Sequence, residues 1–101
     1  MATSYQNIAA VYQKEGKRAQ AIEMATKAYD IKLKVLGPDH PSTKISKSFN
    51  LALVYEKKEE WEKAVDCYQQ VYDIESKIFG QDHTQVKETL EALNKAKQNL
   101  E

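Results

Sequence analysis

The phrase Leu36-Gly37-Pro38-Asp39-His40 returns 43 residues later as Phe79-Gly80-Gln81-Asp82-His83, and this repetition constrains the chain more than any other feature. The same offset pairs Asn7 with Asn50, Ala9 with Ala52, Tyr12 with Tyr55, Ala21 with Ala64, and Tyr29-Asp30-Ile31 with Tyr72-Asp73-Ile74. Residues 7–40 laid on 50–83 without a gap give 13 identities in 34 positions, against about two for unrelated sequences of ordinary residue usage. The 101 residues are too few for two independent domains. Two copies of one unit must therefore share a core by stacking.

Each unit reads as a pair of helices. Tyr5, Ile8, Ala9 and Tyr12 stand at i, i+3, i+4 and i+7, and Leu51, Ala52 and Tyr55 repeat the last three. After a polar break, Ala21, Ile22, Ala25, Ala28 and Tyr29 form a second apolar stripe, matched by Ala64, Val65, Tyr68, Val71 and Tyr72. The small residues Ala9, Ala21, Ala52 and Ala64 mark places where helices approach closely, with tyrosines filling the larger gaps. Gly37 and Gly80 are suited to the left-handed backbone that closes a helix, and Pro41 to the first turn of the next. The pattern predicts a third helix over Ser42 to Lys58, a fourth over Trp61 to Phe79 and a fifth from about Thr84 to Leu100. Val86, Leu90, Leu93 and Leu100 form the apolar face of the fifth, whose polar remainder marks a cap. Alternating β-branched runs are absent, so the expected fold class is all-α.

Charge narrows the partners. Fifteen basic and fifteen acidic side chains cancel, leaving no net field to draw the chain to nucleic acid or to an anionic membrane. No apolar run is long enough to span a bilayer. Cys67, the single cysteine, has no intrachain partner for a disulfide and no second thiol for a metal site. A cytoplasmic location is expected, with neither cofactor nor metal.

Tyr5-x-x-Ile8-Ala9-x-x-Tyr12 followed by Ala21 resembles the tetratricopeptide repeat, and Leu51-Ala52-x-x-Tyr55 with Trp61, Ala64 and Tyr68 resembles it more closely. The long spacing, Leu36-Gly37-Pro38-Asp39-His40-Pro41 and Asn50-Leu51-Ala52-x-x-Tyr55 are similar to the kinesin light chain variety of that family. The resemblance implies two tandem helix-turn-helix units, over about residues 3–37 and 42–80, with a capping helix over about 84–100, in a right-handed superhelical stack. It departs from the family pattern in four places: Leu33 and Ser76 stand where a proline usually closes the second helix, Glu59 replaces the turn glycine seen at Gly16, and Arg18 stands where the second unit has Trp61. With no upstream cap before the first helix, the chain reads as a piece of a longer array.

The function implied by the resemblance is protein binding, with a peptide segment of a partner held in the concave groove. By the same resemblance the groove is lined by Gln6, Asn7, Ala10, Gln13 and Lys14 of the first helix and Phe49, Asn50, Leu53, Glu56 and Lys57 of the third. Asn7 and Asn50 can pair with a peptide backbone, since an amide both donates and accepts, or can fix a neighbouring helix end. Phe49 and Leu53 supply apolar contact to a peptide or pack on the preceding unit. Lys14, Lys44, Lys47 and Lys57 either favour acidic peptides or simply solvate exposed helix faces. Ala10 and Leu53 occupy the place where carboxylate-clamping members of the family carry an asparagine, which disfavours that specialised function.

Asp39-His40 and Asp82-His83 resemble a base and its orienter. No nucleophile accompanies them, however, and their repetition in equivalent connectors points to turn and helix-start chemistry. Two histidines without further ligands make no zinc site. Cys67 stands where the first unit has Met24 and reads as a packing residue, and Trp61 reads as a wedge between helices. The expected functions, in order, are a peptide-binding adaptor or scaffold, a self-associating structural piece that forms a homo-oligomer through uncovered repeat faces, and, far behind, an enzyme.

Overall fold

In a computed structural model that describes residues 8, 9 and 11–100, helices follow one another through short turns, and no strand occurs among the described residues. The first helix, α1, covers 8–9 and 11–14. It is followed by α2 (Arg18–Leu36), α3 (Pro41–Lys57), α4 (Trp61–Phe79) and α5 (Thr84–Gln98). Among these, α2 packs on α3, α3 on α4 and α4 on α5.

The repeated connectors have repeated geometry. His40 and His83 both adopt an extended backbone just before a helix, and each ring accepts at Nδ1 from the backbone N–H two residues on, Ser42 and Gln85, at 3.1 Å. The imidazole, rather than the neighbouring aspartate, is thus the side chain that satisfies a free amide at the helix start. Gly37 and Gly80 close α2 and α4 with φ near +84° and +82°, and their amides bond back to Leu33 and Ser76. Their ψ of 166° and 161° is extended. They occupy the glycine-only region at positive φ, not the left-handed helical conformation expected from sequence.

The turn inside each unit is also duplicated, despite a change of residue. Gly16 (φ +79°) and Glu59 (φ +61°) both take positive φ. Lys17 N–H bonds to the Tyr12 carbonyl at 2.8 Å, and Glu60 N–H to the Tyr55 carbonyl at 2.9 Å. Tyr12 and Tyr55 are each half-buried against the same core.

Ala9, Ala21, Ala52 and Ala64 are all completely buried, as close helix approach requires, and Tyr68, wholly buried in the same core, lies with its ring 6.4 Å from that of Phe49. Two expected stripes are rotated. Ile8 and Leu51, repeat equivalents, are 41% and 39% exposed, so the buried line of the first helices is centred on Ala9 and Ala52. In α5 the buried line is Val86, Thr89, Leu93 and Ala96, while Leu90 faces out and Leu100 lies exposed beyond the end of the helix, which stops at Gln98. Tyr5 lies outside the described residues.

Stacking brings equivalent positions into contact. Gln13 Nε2 donates to Glu56 Oε1 at 2.9 Å. The Arg18 guanidinium lies 5.6 Å from the centroid of the Trp61 ring. Each pair is 43 residues apart, so the sequence repeat has become a spatial one. The fifth helix keeps the phase: Thr84, its first residue, stands 43 beyond Pro41, the first residue of α3. It therefore sits where the first helix of a third unit would sit.

Candidate functional site

Because first-helix positions alternate with second-helix positions along the stack, α1, α3 and α5 share one side. A cavity of about 430 Å³ opens there. Phe49 from α3, Trp61 and Val71 from α4 and Ala92 from α5 give it an apolar floor. Lys14 from α1 and Glu88 from α5 meet at 3.7 Å across its mouth, and Lys95 pairs with Glu91 at 3.4 Å on its rim. Both pairs are well exposed, so each contributes only about 0–1 kcal/mol and can open without great cost.

Deeper in, the wall carries two buried carboxylates. Glu56 receives Gln13 Nε2 and the Tyr68 hydroxyl, both at Oε1. Gln13 Nε2 also reaches the Tyr68 oxygen, which closes a three-residue cluster. Burial first, then the charge and hydrogen bond of Glu56, push the Tyr68 phenol well above its usual range, so it stays a donor. Glu75 accepts from Gln85 Nε2 at 2.7 Å and Thr89 Oγ1 at 2.5 Å, both on α5. Burial raises the Glu75 carboxyl above the ordinary range, an effect opposed by those hydrogen bonds and by Lys32. The Cys67 thiol, also buried, is raised by desolvation and then by Asp66, and does not line the cavity.

The expected groove residues divide. Gln6, Asn7 and Ala10 lie outside the described residues. Gln13, Lys14, Phe49 and Glu56 do line the cavity. Leu53 is 0% exposed and belongs to the core, where no peptide reaches it. Asn50 turns toward the preceding unit, its Nδ2 donating to Thr26 Oγ1 at 3.2 Å in the middle of α2. That contact ties α3 to the body of α2 and not to a helix end. Lys57, Lys44 and Lys47 are exposed and stand apart from the cavity lining.

The inner face of α3 is thus Phe49, Leu53 and Glu56, spaced i, i+4 and i+7, with the middle residue sunk beneath the other two. The α5 wall is not legible in the apolar pattern of that helix, which marks it only as a cap. The signal for it is the unbroken phase, which sets Ala92 at the place of Phe49 and Asn99 at that of Glu56. Trp61, expected as a wedge, is half-buried in the cavity floor beneath Arg18.

No described helix is long and apolar enough to cross a membrane. A comparison with curated proteins returns no match. Comparison with protein families returns the tetratricopeptide repeat twice, over residues 1–42 and over residues 49–78. Such repeats generally mediate contacts between proteins. One match falls on each helix pair, most of the chain is covered, and the pairs stack as repeats must, so the chain belongs to the tetratricopeptide repeat family.

Proposed function

We propose that the chain is an adaptor or scaffold module that holds a peptide segment of a partner protein in the cavity between α1, α3 and α5. The observation that carries this reading is the apolar floor of Phe49, Trp61, Val71 and Ala92 enclosed by a polar rim. An apolar floor with a few polar groups around it is the usual make-up of a site that takes up side chains. Of the expected groove residues, Gln13, Lys14, Phe49 and Glu56 serve this role. The reading takes the units as residues 3–37 and 42–80 with α5 as the closing helix. It treats the protein as non-enzymatic and cytoplasmic. The 43-residue period and the Gly-x-Asp-His connector favour the kinesin light chain-like variety.

The test is capture of peptides from a random displayed library by the wild type and by Ala92→Trp, which fills the cavity from the half-buried surface of α5. Capture by the wild type and its loss in the folded variant are expected. Equal capture by both would place binding elsewhere.

A second reading, self-association through the outer side of α1, is favoured by Val11 and Ile8, 54% and 41% exposed on neighbouring turns. Light scattering separates the two, since a monomer at high concentration removes self-association.

A further inference from the structure

We infer that the side chain accepted by this cavity is basic, an arginine or lysine flanked by an apolar residue, with Glu56 as its receptor. The inference rests on the peptide-holding reading above and specifies its partner. Glu56 is 7% exposed and lines the cavity. Its two donors are the uncharged Gln13 amide and Tyr68 hydroxyl, and among the described residues both fall on the same oxygen, Oε1. Oε2 is left as the acceptor for a guest. A carboxylate so deeply placed, whose hydrogen-bond donors are both neutral, gains more from an incoming cation than a solvated one does.

The surrounding charges point the same way. At the rim each lysine is matched by a carboxylate, Lys14 by Glu88 and Lys95 by Glu91, so the rim adds no net positive charge. Arg18 lies over the Trp61 ring. The second buried carboxylate on the wall, Glu75, is occupied by Gln85 and Thr89 and faces the opposite charge of Lys32, which leaves Glu56 as the receptor. An acidic guest would meet the buried Glu56 carboxylate, whereas a guanidinium or ammonium would find an anion at the end of an apolar passage floored by Phe49 and Trp61. The stem of an arginine or lysine matches such a passage, with its methylenes on the aromatic floor and its head on the carboxylate. Of the four lysines that suggested a preference for acidic peptides, Lys44, Lys47 and Lys57 lie away from the cavity, and Lys14, which lines it, faces Glu88.

Three acetylated, amidated tripeptides test this: Leu-Arg-Leu, Leu-citrulline-Leu and Leu-Glu-Leu, titrated against the intact chain and followed by the NMR signal of the Trp61 indole. Citrulline keeps the shape of arginine and removes its charge, so the comparison uses only the wild-type protein. Binding of the arginine peptide about tenfold tighter than the citrulline peptide, with the glutamate peptide weakest, is expected from one charge-assisted hydrogen bond replacing a neutral one. In Glu56→Gln the advantage should disappear. Equal binding of arginine and citrulline, or tighter binding of glutamate, overturns the inference while leaving the peptide-holding reading in place. If none of the three moves the indole signal, both fail.

Discussion

Lys32 and Glu75 occupy the same place in consecutive units, 43 residues apart, and both are buried, at 9% and 0% exposure, with opposite charge. Each feels the other. Burial lowers the Lys32 ammonium and raises the Glu75 carboxyl, and in both cases the opposite charge of the other residue works against the shift. The joint also involves α5, because Gln85 and Thr89 reach back to Glu75. One residue thus connects the first unit, the second and α5.

A pH dependence follows from Glu75. Its carboxyl titrates higher in the folded chain than in the unfolded one. Between those two values the folded state keeps a proton that the unfolded state has released, so the stabilisation from this group is full below the unfolded value and is lost as pH rises through the folded one. Urea unfolding from mildly acidic to neutral pH should show this decline in the wild type and a flatter profile in Glu75→Gln. Identical slopes in the two would remove Glu75 as its source.

The turns offer a paired test of backbone strain. Glu59 holds φ at +61°, where the equivalent Gly16 has no side chain to strain. Glu59→Gly should raise stability by about 0.5–1 kcal/mol, relief of the left-handed penalty being partly offset by glycine's larger unfolded-state entropy. Gly80→Ala should lower it by about 1–3 kcal/mol even though nothing lies within 4 Å of the added methyl, because the cost is conformational. Chemical denaturation of both variants checks the opposite signs.

The two capping histidines should differ. His40 and His83 both cap a helix, but only at His83 does an aromatic ring precede the glycine, and Phe79 stacks on it at 4.7 Å with 25° between the planes. His40→Ala should cost about 1 kcal/mol for the cap. His83→Ala should cost more, by about 0.5–1.5 kcal/mol for the lost ring contact. Equal losses on denaturation would show that the stacking adds nothing.

How far the sequence could be read depends on which neighbours decide each feature. Helix starts and stops follow from local chemistry, and residues such as Gly37, Pro41 and Trp61 mark them to within about two residues. The repeat offset carried the stacking, since Gln13 with Glu56 and Arg18 with Trp61 meet because they are equivalents. Rotation of a helix about its own axis is decided by what packs on it from both sides. The adjacent pairs Ile8-Ala9 and Leu51-Ala52 left that angle open, and the structure turns the alanines inward. The same freedom separates Leu53 and Asn50 from the groove. The α5 wall was hidden because residue identity between units fades after His83 while the helical phase continues.

The central claim is that the side shared by α1, α3 and α5 is the one that receives a polypeptide. Its most direct test is a map of NMR shifts on binding a library-selected peptide, comparing the Ala92 and Val71 methyls and the Trp61 indole with the Val35 and Ile78 methyls at the far ends of α2 and α4. The account predicts that the first group moves and saturates together while the second stays still. Shifts confined to Val35 and Ile78, with the cavity signals unmoved, would contradict it.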